Sequence, residues 1–297
     1  MTVRIAIVGA TGQLGADLAP VAREHGHTVY PMAHPDIELT DQAAVEQVIG
    51  GIRPDVVINA AAMNHVERCE KEPELAYAVN ALGPRNLALA MHATGSILVQ
   101  VSTDYVFDGR KGAPYVETDL PAPLNAYGTA KLAGEHFVRA LAPRSFVVRT
   151  SALYGASPCR AKPQDNFVRF IMREASQKGR LTVVRDQSVG PTWTHDLSTQ
   201  ILRLVESEAY GTYHATSQGE CTWAEFAEAI VESARLTATV EPVTSETYAS
   251  PVQRPSSSVL DNEALRRRGM DIMPHWRDSL RSYVESLGAV EASQPAR

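Results

Sequence analysis

Short apolar runs alternate with amphipathic segments through the first half of the chain. In the segments between the runs, apolar residues recur at helical spacing, for example at Leu14, Leu18 and Val21. This rhythm predicts repeated β-α-β units around a parallel sheet. The predicted strands are 4–8, 28–30, 55–58, 97–102 and 146–149. The predicted helices lie at 14–22, 43–49, 76–91 and 130–141.

The predicted strands are continuous apolar runs, as at Val56, Val57 and Ile58. Strands that are buried on both faces have this pattern, whereas half-exposed strands alternate apolar and polar residues. We therefore expect an α/β fold with a doubly wound parallel sheet, the Rossmann architecture, with helices on both faces.

The alternation of strand and helix patterns becomes less regular after Thr150, where a polar loop at 157–165 precedes further helix and strand patterns. We expect a second, smaller α/β domain in this half. The larger domain would take 1–150 and about 190–215, and the smaller one 151–189 and 216–287. Residues 288–297 carry too few apolar groups to pack, so we expect a disordered tail there.

Composition and charge narrow the function classes. With 44% hydrophobic and 21% charged residues, the chain is typical of a folded protein and not of a disordered one. The formal net charge of -6 argues against a nucleic-acid partner, because binding to phosphates needs clustered positive charge. Cys69, Cys159 and Cys221 show no paired spacing, so we expect neither a disulfide framework nor a metal site.

The start of the chain lacks the pattern of a secretory signal, and no apolar stretch approaches the roughly 18 residues of a membrane span. We therefore expect a cytoplasmic protein with no membrane partner.

A glycine-rich turn follows the first predicted strand and opens a helix. It reads Gly9-Ala10-Thr11-Gly12-Gln13-Leu14-Gly15, a GxxGxxG variant of the dinucleotide-binding pattern. Backbone N–H groups in such a turn approach a diphosphate closely, and the helix N-terminus adds positive potential. The larger domain is therefore predicted to bind a dinucleotide. The end of the second strand carries neither a carboxylate nor an arginine, so NADPH and NADH stay open.

A hydroxyl, a phenol and an ammonium follow in order. Ser102 and Thr103 end the fourth strand at the carboxyl edge of the sheet, where doubly wound folds bind ligands. Tyr127 and Lys131 lie one helical turn apart, and an ammonium beside a phenol lowers its pKa from about 10. Together with the glycine-rich turn, these residues predict hydride transfer between a nicotinamide and a carbonyl or alcohol, with Tyr127 as the proton donor.

The ordered motifs resemble the extended short-chain dehydrogenase/reductase superfamily, and more closely its dTDP-4-dehydrorhamnose reductase family. The resemblance runs from Ile5 to about Leu287. The segments that carry it are GATGQLG (9–15), RPDVVINAAA (53–62), VSTDYVFDG (101–109), PLNAYGTAKLAGE (123–135), RTS (149–151), DNFV (165–168), DQSVGPT (186–192) and RPSSSVLD (254–261).

The resemblance implies reduction of the C4 ketone of a dTDP-6-deoxy-4-keto sugar, most readily dTDP-4-dehydrorhamnose to dTDP-rhamnose, with NADPH or NADH. It implies that Thr103 polarises the ketone, that Tyr127 donates the proton and that Lys131 orients the nicotinamide ribose and tunes Tyr127. Homodimers are implied as well. The implied cofactor contacts are Gly9, Gly12, Gln13, Leu14, Gly15, Glu38, Leu39, Ala62, Met63, Asn64, Val101, Tyr127 and Lys131. The implied substrate contacts are Thr103, Asp104, Ala152 and Arg254.

Two positions need comment. Ala152 stands where the family pattern has a tryptophan that contacts the substrate, which leaves the identity of the sugar open. Arg254 precedes a proline in an otherwise neutral loop, so its guanidinium suits either a diphosphate or a structural ion pair.

Three alternatives are weighed against this reductase. The resemblance to the superfamily implies a Thr-Asp-Glu sequence at the strand end of its dehydratases. This chain has Thr103-Asp104-Tyr105 there, so dehydration is disfavoured. A reductase or epimerase of another nucleotide sugar is motivated by Ala152. A cofactor-binding regulatory subunit, similar to that of methionine adenosyltransferase, is disfavoured by the complete Tyr127 and Lys131 pair.

Overall fold

The computed structural model describes residues 2–157, 165–248 and 250–293. Its strands, in chain order, are β1 (Arg4–Val8), β2 (Thr28–Met32), β3 (Val56–Asn59), β4 (Ile97–Thr103), β5 (Ser145–Thr150), β6 (Leu153–Tyr154), β7 (Arg180–Val184), β8 (Ser188–Val189), β9 (Thr192–Trp193), β10 (Gly211–His214), β11 (Cys221–Thr222) and β12 (Thr239–Val243).

The helices alternate with the strands as the sequence predicts. They are α1 (Gln13–Glu24), α2 (Gln42–Ile52), α3 (Val66–Lys71), α4 (Pro73–Tyr77), α5 (Gly83–Thr94), α6 (Ala126–Leu141), α7 (Phe167–Lys178), α8 (Thr194–Val205), α9 (Trp223–Ser233), α10 (Glu263–Arg267) and α11 (Trp276–Ser293). A π-helical turn (Ala78–Leu82) joins α4 to α5, and 3-10 turns cover Asp104–Val106 and Ser245–Thr247.

Six parallel strands form the main sheet in the order β10-β5-β4-β3-β1-β2. The chain therefore winds outward in both directions from β1, and the switch between the two directions falls between β1 and β3. One face is covered by a core that includes Leu18 and Ile201, from α1 and α8. The other is covered by Ile49, Leu87 and Val138, from α2, α5 and α6. The predicted doubly wound α/β fold is confirmed.

β2 runs two residues further than the apolar pattern predicted, through Pro31 to Met32. Proline breaks a strand pattern because it has no N–H to donate, but β2 lies at the edge of the sheet, where one side of the strand needs no partner.

The second half of the chain builds a separate apolar core with three small strand pairs. β7 pairs in parallel with β12, β6 with β9, and β8 runs antiparallel to β11. Phe226, Ile230 and Trp276 lie at the centre of this core. β10 returns to the main sheet beside β5. The domain boundaries drawn from the sequence stay a prediction.

The sequence prediction of a disordered tail from 288 onward is wrong for 288–293, because α11 continues to Ser293. Leu280 and Tyr283 are almost fully buried in the second core and anchor this helix. Once a helix is anchored, each further residue adds a backbone hydrogen bond at little cost. Residues 294–297, and 158–164 of the predicted polar loop, lie outside the described residues.

Candidate active site

A cleft of about 1240 Å³ runs along the carboxyl ends of β1, β3 and β4 and is closed on its far side by residues of the second half of the chain. Crevices at this edge of a doubly wound sheet, at the switch point, bind ligands. Most of the predicted site residues line it. They are Gly9, Gly12, Gln13, Leu14, Glu38, Leu39, Ala62, Asn64, Val101, Thr103, Asp104, Tyr127, Lys131, Ala152 and Arg254.

Gly15 and Met63, both predicted to contact a cofactor, are not among the residues that line the cleft. A Cβ on Gly15 would lie 2.7 Å from the Cα of Ala10, so this glycine lets α1 pack against the turn before it. Met63 is held by its backbone, whose N–H donates to Asn80 Oδ1 and whose carbonyl accepts from Asn80 Nδ2, both at 2.9 Å. Both residues therefore support the backbone next to the cleft and do not line the cleft themselves.

The glycine-rich turn has the form that a diphosphate requires. Gly9 has φ +82°, and a Cβ there would lie 2.7 Å from the backbone N of Ala61. Gly12 is the N-cap of α1 and offers no side chain to the first N–H groups of the helix. Gln13 and Leu14, the first residues of the helix and hence at the positive end of its dipole, line the cleft. The turn therefore fits the diphosphate of a dinucleotide.

Beyond the end of β2, the cleft wall carries His34 and Glu38. Glu38 Oε1 accepts hydrogen bonds from the N–H and the hydroxyl of Thr40, at 3.0 and 2.7 Å, which lowers the pKa of this carboxyl. No lysine or arginine lines this described stretch of wall from Ala33 to Leu39. It therefore has no permanent cation for a 2′-phosphate.

Tyr127 and Lys131 lie on α6, which starts where the Asn125 side chain accepts from the N–H of Gly128 at 2.9 Å. Lys131 is almost fully buried, and its Nζ donates to the carbonyl of Val101 at 2.6 Å. Tyr127 is half-buried. The cap therefore fixes the start of the helix that carries both residues into the cleft.

Burial controls the ionisation of both residues. It raises the pKa of Tyr127 well above its usual value of 10, although an interaction with the Thr103 hydroxyl opposes this. It lowers the pKa of Lys131 to about 8, against the charge of Glu135, which raises it. The sequence predicted a lowered pKa for Tyr127, and this is wrong for the structure, because desolvation disfavours the phenolate and the charge of Asp104 adds to the rise.

Thr103 and Asp104 are joined at the end of β4. The Thr103 hydroxyl donates to Asp104 Oδ1 at 3.0 Å and accepts from the N–H of Tyr105 at 3.2 Å. Asp104 Oδ2 accepts from the hydroxyl of Ser151 at 2.8 Å. Burial raises the pKa of this carboxyl, and the hydrogen bonds that it accepts oppose the shift. Asp104 therefore orients the Thr103 hydroxyl within the site.

Arg254 forms an ion pair with Glu67, so the structural alternative that the sequence left open is present. Its Nε is also buried and has no hydrogen-bond partner among the described residues. Because a buried donor without a partner is costly, this nitrogen is a candidate for contact with a ligand. Both side chains line the cleft.

Sequence reasoning missed several residues of the cleft. Ser151 and Glu67 were not singled out, since their partners are distant in sequence. Phe167 and Phe170 were missed as well, and they form an aromatic wall with Trp223, whose ring centroid lies 4.6 Å from that of Phe167. The sequence had offered Trp223 for stacking on a base or sugar but favoured packing for it. Helical periodicity could have placed these rings on α7 and α9, but not at the cleft.

No helix within 2–157, 165–248 and 250–293 is long and apolar enough to cross a membrane. In the same ranges, no three His, Cys, Asp or Glu side chains group as a metal site would need.

Comparison with known proteins gives consistent matches over nearly the whole chain. A family model, the RmlD substrate binding domain, matches residues 3–289. A dTDP-4-dehydrorhamnose reductase of Streptomyces griseus is 40% identical over 291 residues, covering 95% of this chain and 93% of that protein. A dTDP-4-keto-6-deoxy-D-glucose reductase of Streptomyces niveus is 37% identical, covering 98% and 100%. The crystal structure of the dTDP-4-dehydrorhamnose reductase of Bacillus anthracis in complex with NADP superposes with a TM-score of 0.91 at 39% identity, covering 96% and 100%.

Proposed function

Because the chain belongs to the RmlD substrate binding domain family, we propose that it reduces the C4 ketone of a dTDP-6-deoxy-4-keto sugar with NADPH or NADH. The observation that carries the proposal is the meeting of Thr103, Tyr127 and Lys131 in one cleft that also contains the open glycine-rich turn. The relatives named above are reductases of such sugars, and one of them was crystallised with NADP.

In this proposal the turn at Gly12, Gln13 and Leu14 holds the diphosphate of the cofactor. When bound, the nicotinamide supplies a hydride to C4 of the sugar. Tyr127 gives its phenolic proton to the oxygen that becomes the alcohol. The raised pKa of Tyr127 suits an acid, because the phenol stays protonated until negative charge develops on that oxygen.

Thr103 and Lys131 support the same step. On substrate binding the Thr103 hydroxyl exchanges its hydrogen bond to Asp104 Oδ1 for one to the ketone oxygen, which polarises the ketone. The Lys131 ammonium orients the nicotinamide ribose and favours the phenolate that Tyr127 becomes. The phenolate then takes back a proton from solvent, so the reaction consumes one proton for each hydride transferred.

The proposed place of the nucleotide follows from Arg254. Its partnerless buried Nε suits a substrate diphosphate, which the guanidinium would share with Glu67. At position 152 the cleft wall offers only a methyl group, so the sugar would be less constrained there than by a large aromatic ring. Since the two reductases named above act on different keto sugars, a panel of dTDP-linked 4-keto sugars decides between dTDP-4-dehydrorhamnose and its relatives.

The test is the Tyr127→Phe variant. We expect kcat to fall by about 10²- to 10⁴-fold, because the general acid is lost while the ring is retained. Cofactor binding, followed by quenching of protein fluorescence, should be nearly unchanged. Tyr105→Phe is the matched control, because it removes a phenol that packs 5.9 Å from the Tyr127 ring. Wild-type turnover in the Tyr127 variant would contradict the assigned role.

A regulatory subunit without its own turnover stays the alternative from a different class. It would be favoured if the isolated chain reduced none of the sugars in the panel and recovered an enzyme partner in stoichiometric amount. A homodimer and a cytoplasmic location stay predictions; light scattering on the purified protein measures the first.

A further inference from the structure

A buried ion pair lies directly behind the proposed site, and the chemistry described so far does not use it. Glu135 and Arg149 are both almost fully buried, and the carboxylate accepts from Arg149 Nε and Nη2 at 2.9 and 2.7 Å. Glu135 Oε1 also accepts from the Ser102 hydroxyl at 2.6 Å. Because burying two charges is costly, a retained buried pair invites a functional explanation.

Glu135 connects the three elements that carry the site. It lies on α6 one turn after Lys131, so that the two side chains share a helix face. Through Ser102 it reaches the part of β4 between Val101, which accepts from Lys131, and Thr103. Through Arg149 it reaches β5 just before Ser151, the donor to Asp104.

We propose that Glu135 is a positioning residue that acts from behind the site, as the counter-charge of the buried Lys131 ammonium and as the link that holds α6 against β4 and β5. The inference rests on the proposed function, because Lys131 belongs to the proposed cofactor site. It adds a residue to which neither the sequence motifs nor the family resemblance gave a role.

The other groups around α6 do not supply this counter-charge. Burial raises the pKa of Cys69 to about 11 and that of Tyr105 to about 12, so both are neutral near pH 7. His214, which lies 3.5 Å from Arg149, is also neutral because burial lowers its pKa to about 3. Among the charges that act on Lys131, that of Glu135 opposes the effect of burial.

The remaining groups pair elsewhere or meet α6 only at its start. Asp104 is engaged by Ser151 and Thr103, and Glu70 accepts from the N–H of Ala126 at the first turn. The titratable or charged residues on the elements packed against α6 are Glu67, Arg68, Cys69, Glu70 and Lys71 on α3, Glu74 and Tyr77 on α4, Arg85 and His92 on α5, Asp104 and Tyr105 after β4, and Arg149 on β5.

The test measures the titration of Lys131 directly. The chain has only five lysines, so protein labelled with ¹³C at lysine Cε gives a simple spectrum, and the Lys131 signal is assigned by its loss in Lys131→Met. In Glu135→Gln we expect the Lys131 midpoint to fall by about one pH unit or more, because the ammonium loses its counter-charge. The double variant Glu135→Gln/Arg149→Met removes both buried charges, and it is measured in case the single variant fails to fold.

Two controls separate charge from general disturbance. Glu70→Gln makes the same change at an exposed residue of α3 that accepts from the N–H of Ala126 at the start of α6. It should leave the Lys131 midpoint where it is, since solvent screens that charge. Glu135→Asp keeps the carboxylate, so its Lys131 midpoint should stay close to the wild-type value. An unchanged Lys131 midpoint in the folded double variant would overturn the proposal, as would an equal shift in Glu70→Gln.

The consequence for binding is measured on the same proteins. As the pH is raised, NADH affinity should begin to decline at a lower pH in Glu135→Gln/Arg149→Met than in the wild type, in step with the Lys131 midpoint. A purely structural role would weaken binding equally at every pH. Because neither measurement requires the sugar substrate, a wrong substrate assignment leaves this test intact.

Discussion

At the scale of single residues, Lys131 shows how burial and charge compete. Removing its ammonium from water lowers the pKa to about 8, and the nearby Glu135 carboxylate limits that fall. Tyr127, four residues earlier, responds in the opposite sense, because burial disfavours its charged form and raises its pKa. Near neutral pH the site therefore holds a charged lysine beside a protonated tyrosine, which is the state that proton donation requires.

The pH dependence of cofactor binding follows from this state. Lys131 loses its charge as the pH rises through about 8, so affinity for NADH should decline on the alkaline side of that value and stay level below it. Fluorescence titrations from about pH 7 to about pH 9 measure the decline. Lys131→Arg keeps its charge throughout this range, so its affinity should be weaker but flat with pH. An equally steep decline in that variant would mean that a group other than Lys131 causes the loss of affinity at alkaline pH.

At the scale of elements, the glycine-rich turn and α1 act as one unit. A Cβ at Gly15 would meet the backbone of Gly9 and Ala10, so Gly15→Ala should push the helix from the turn. We expect a loss of about 1–3 kcal/mol in the free energy of unfolding and weaker NADH binding, although Gly15 does not line the cleft. Urea unfolding and fluorescence titration measure the two effects.

The matched control for this prediction is Gly51→Ala on the exposed side of α2. A Cβ there meets nothing within 4 Å. Alanine should therefore stabilise that helix by up to about 1 kcal/mol and leave cofactor binding unchanged. Tight binding and full stability in Gly15→Ala would mean that the turn relaxes around the added methyl group.

Most elements could be predicted from the sequence because their signals are local. Apolar runs mark β1 and β3, and the side chain of Asn166 caps α7. Signals that depend on a neighbour were missed or misinterpreted. The sequence ended β2 before Pro31, because proline suits a strand only at the edge of a sheet and the edge position of β2 could not be known. It also predicted a disordered tail from 288, where α11 continues because its earlier residues are anchored.

The same division holds for the site. Tyr127, Lys131 and Thr103 could be predicted to meet, because strand ends and helix faces of a doubly wound sheet converge at one edge. The pairing of Glu135 with Arg149 and that of Arg254 with Glu67 could not, since each joins elements whose approach is set by the whole core. The balance of pKa values was also out of reach, because it depends on burial.

At the scale of the whole molecule, residues of the main sheet and of the second core line one cleft. The glycine-rich turn, Tyr127, Arg254 and the aromatic wall all line it. A dinucleotide and a nucleotide sugar each need a diphosphate site, and we propose the glycine-rich turn for the first and Arg254 for the second. This arrangement explains why a single chain could bind both molecules and bring a nicotinamide to a ketone.

The central claim is reduction of a dTDP-linked 4-keto sugar, and one measurement tests it most directly. Purified protein is mixed with dTDP-4-keto-6-deoxy-L-mannose and either NADPH or NADH, and the loss of reduced nicotinamide absorbance is followed together with the product by NMR. We predict that one equivalent of dTDP-rhamnose forms for each nicotinamide oxidised, and that Tyr127→Phe slows both signals by about 10²- to 10⁴-fold. If neither cofactor is oxidised although both bind, the fold stands and the proposed substrate is wrong.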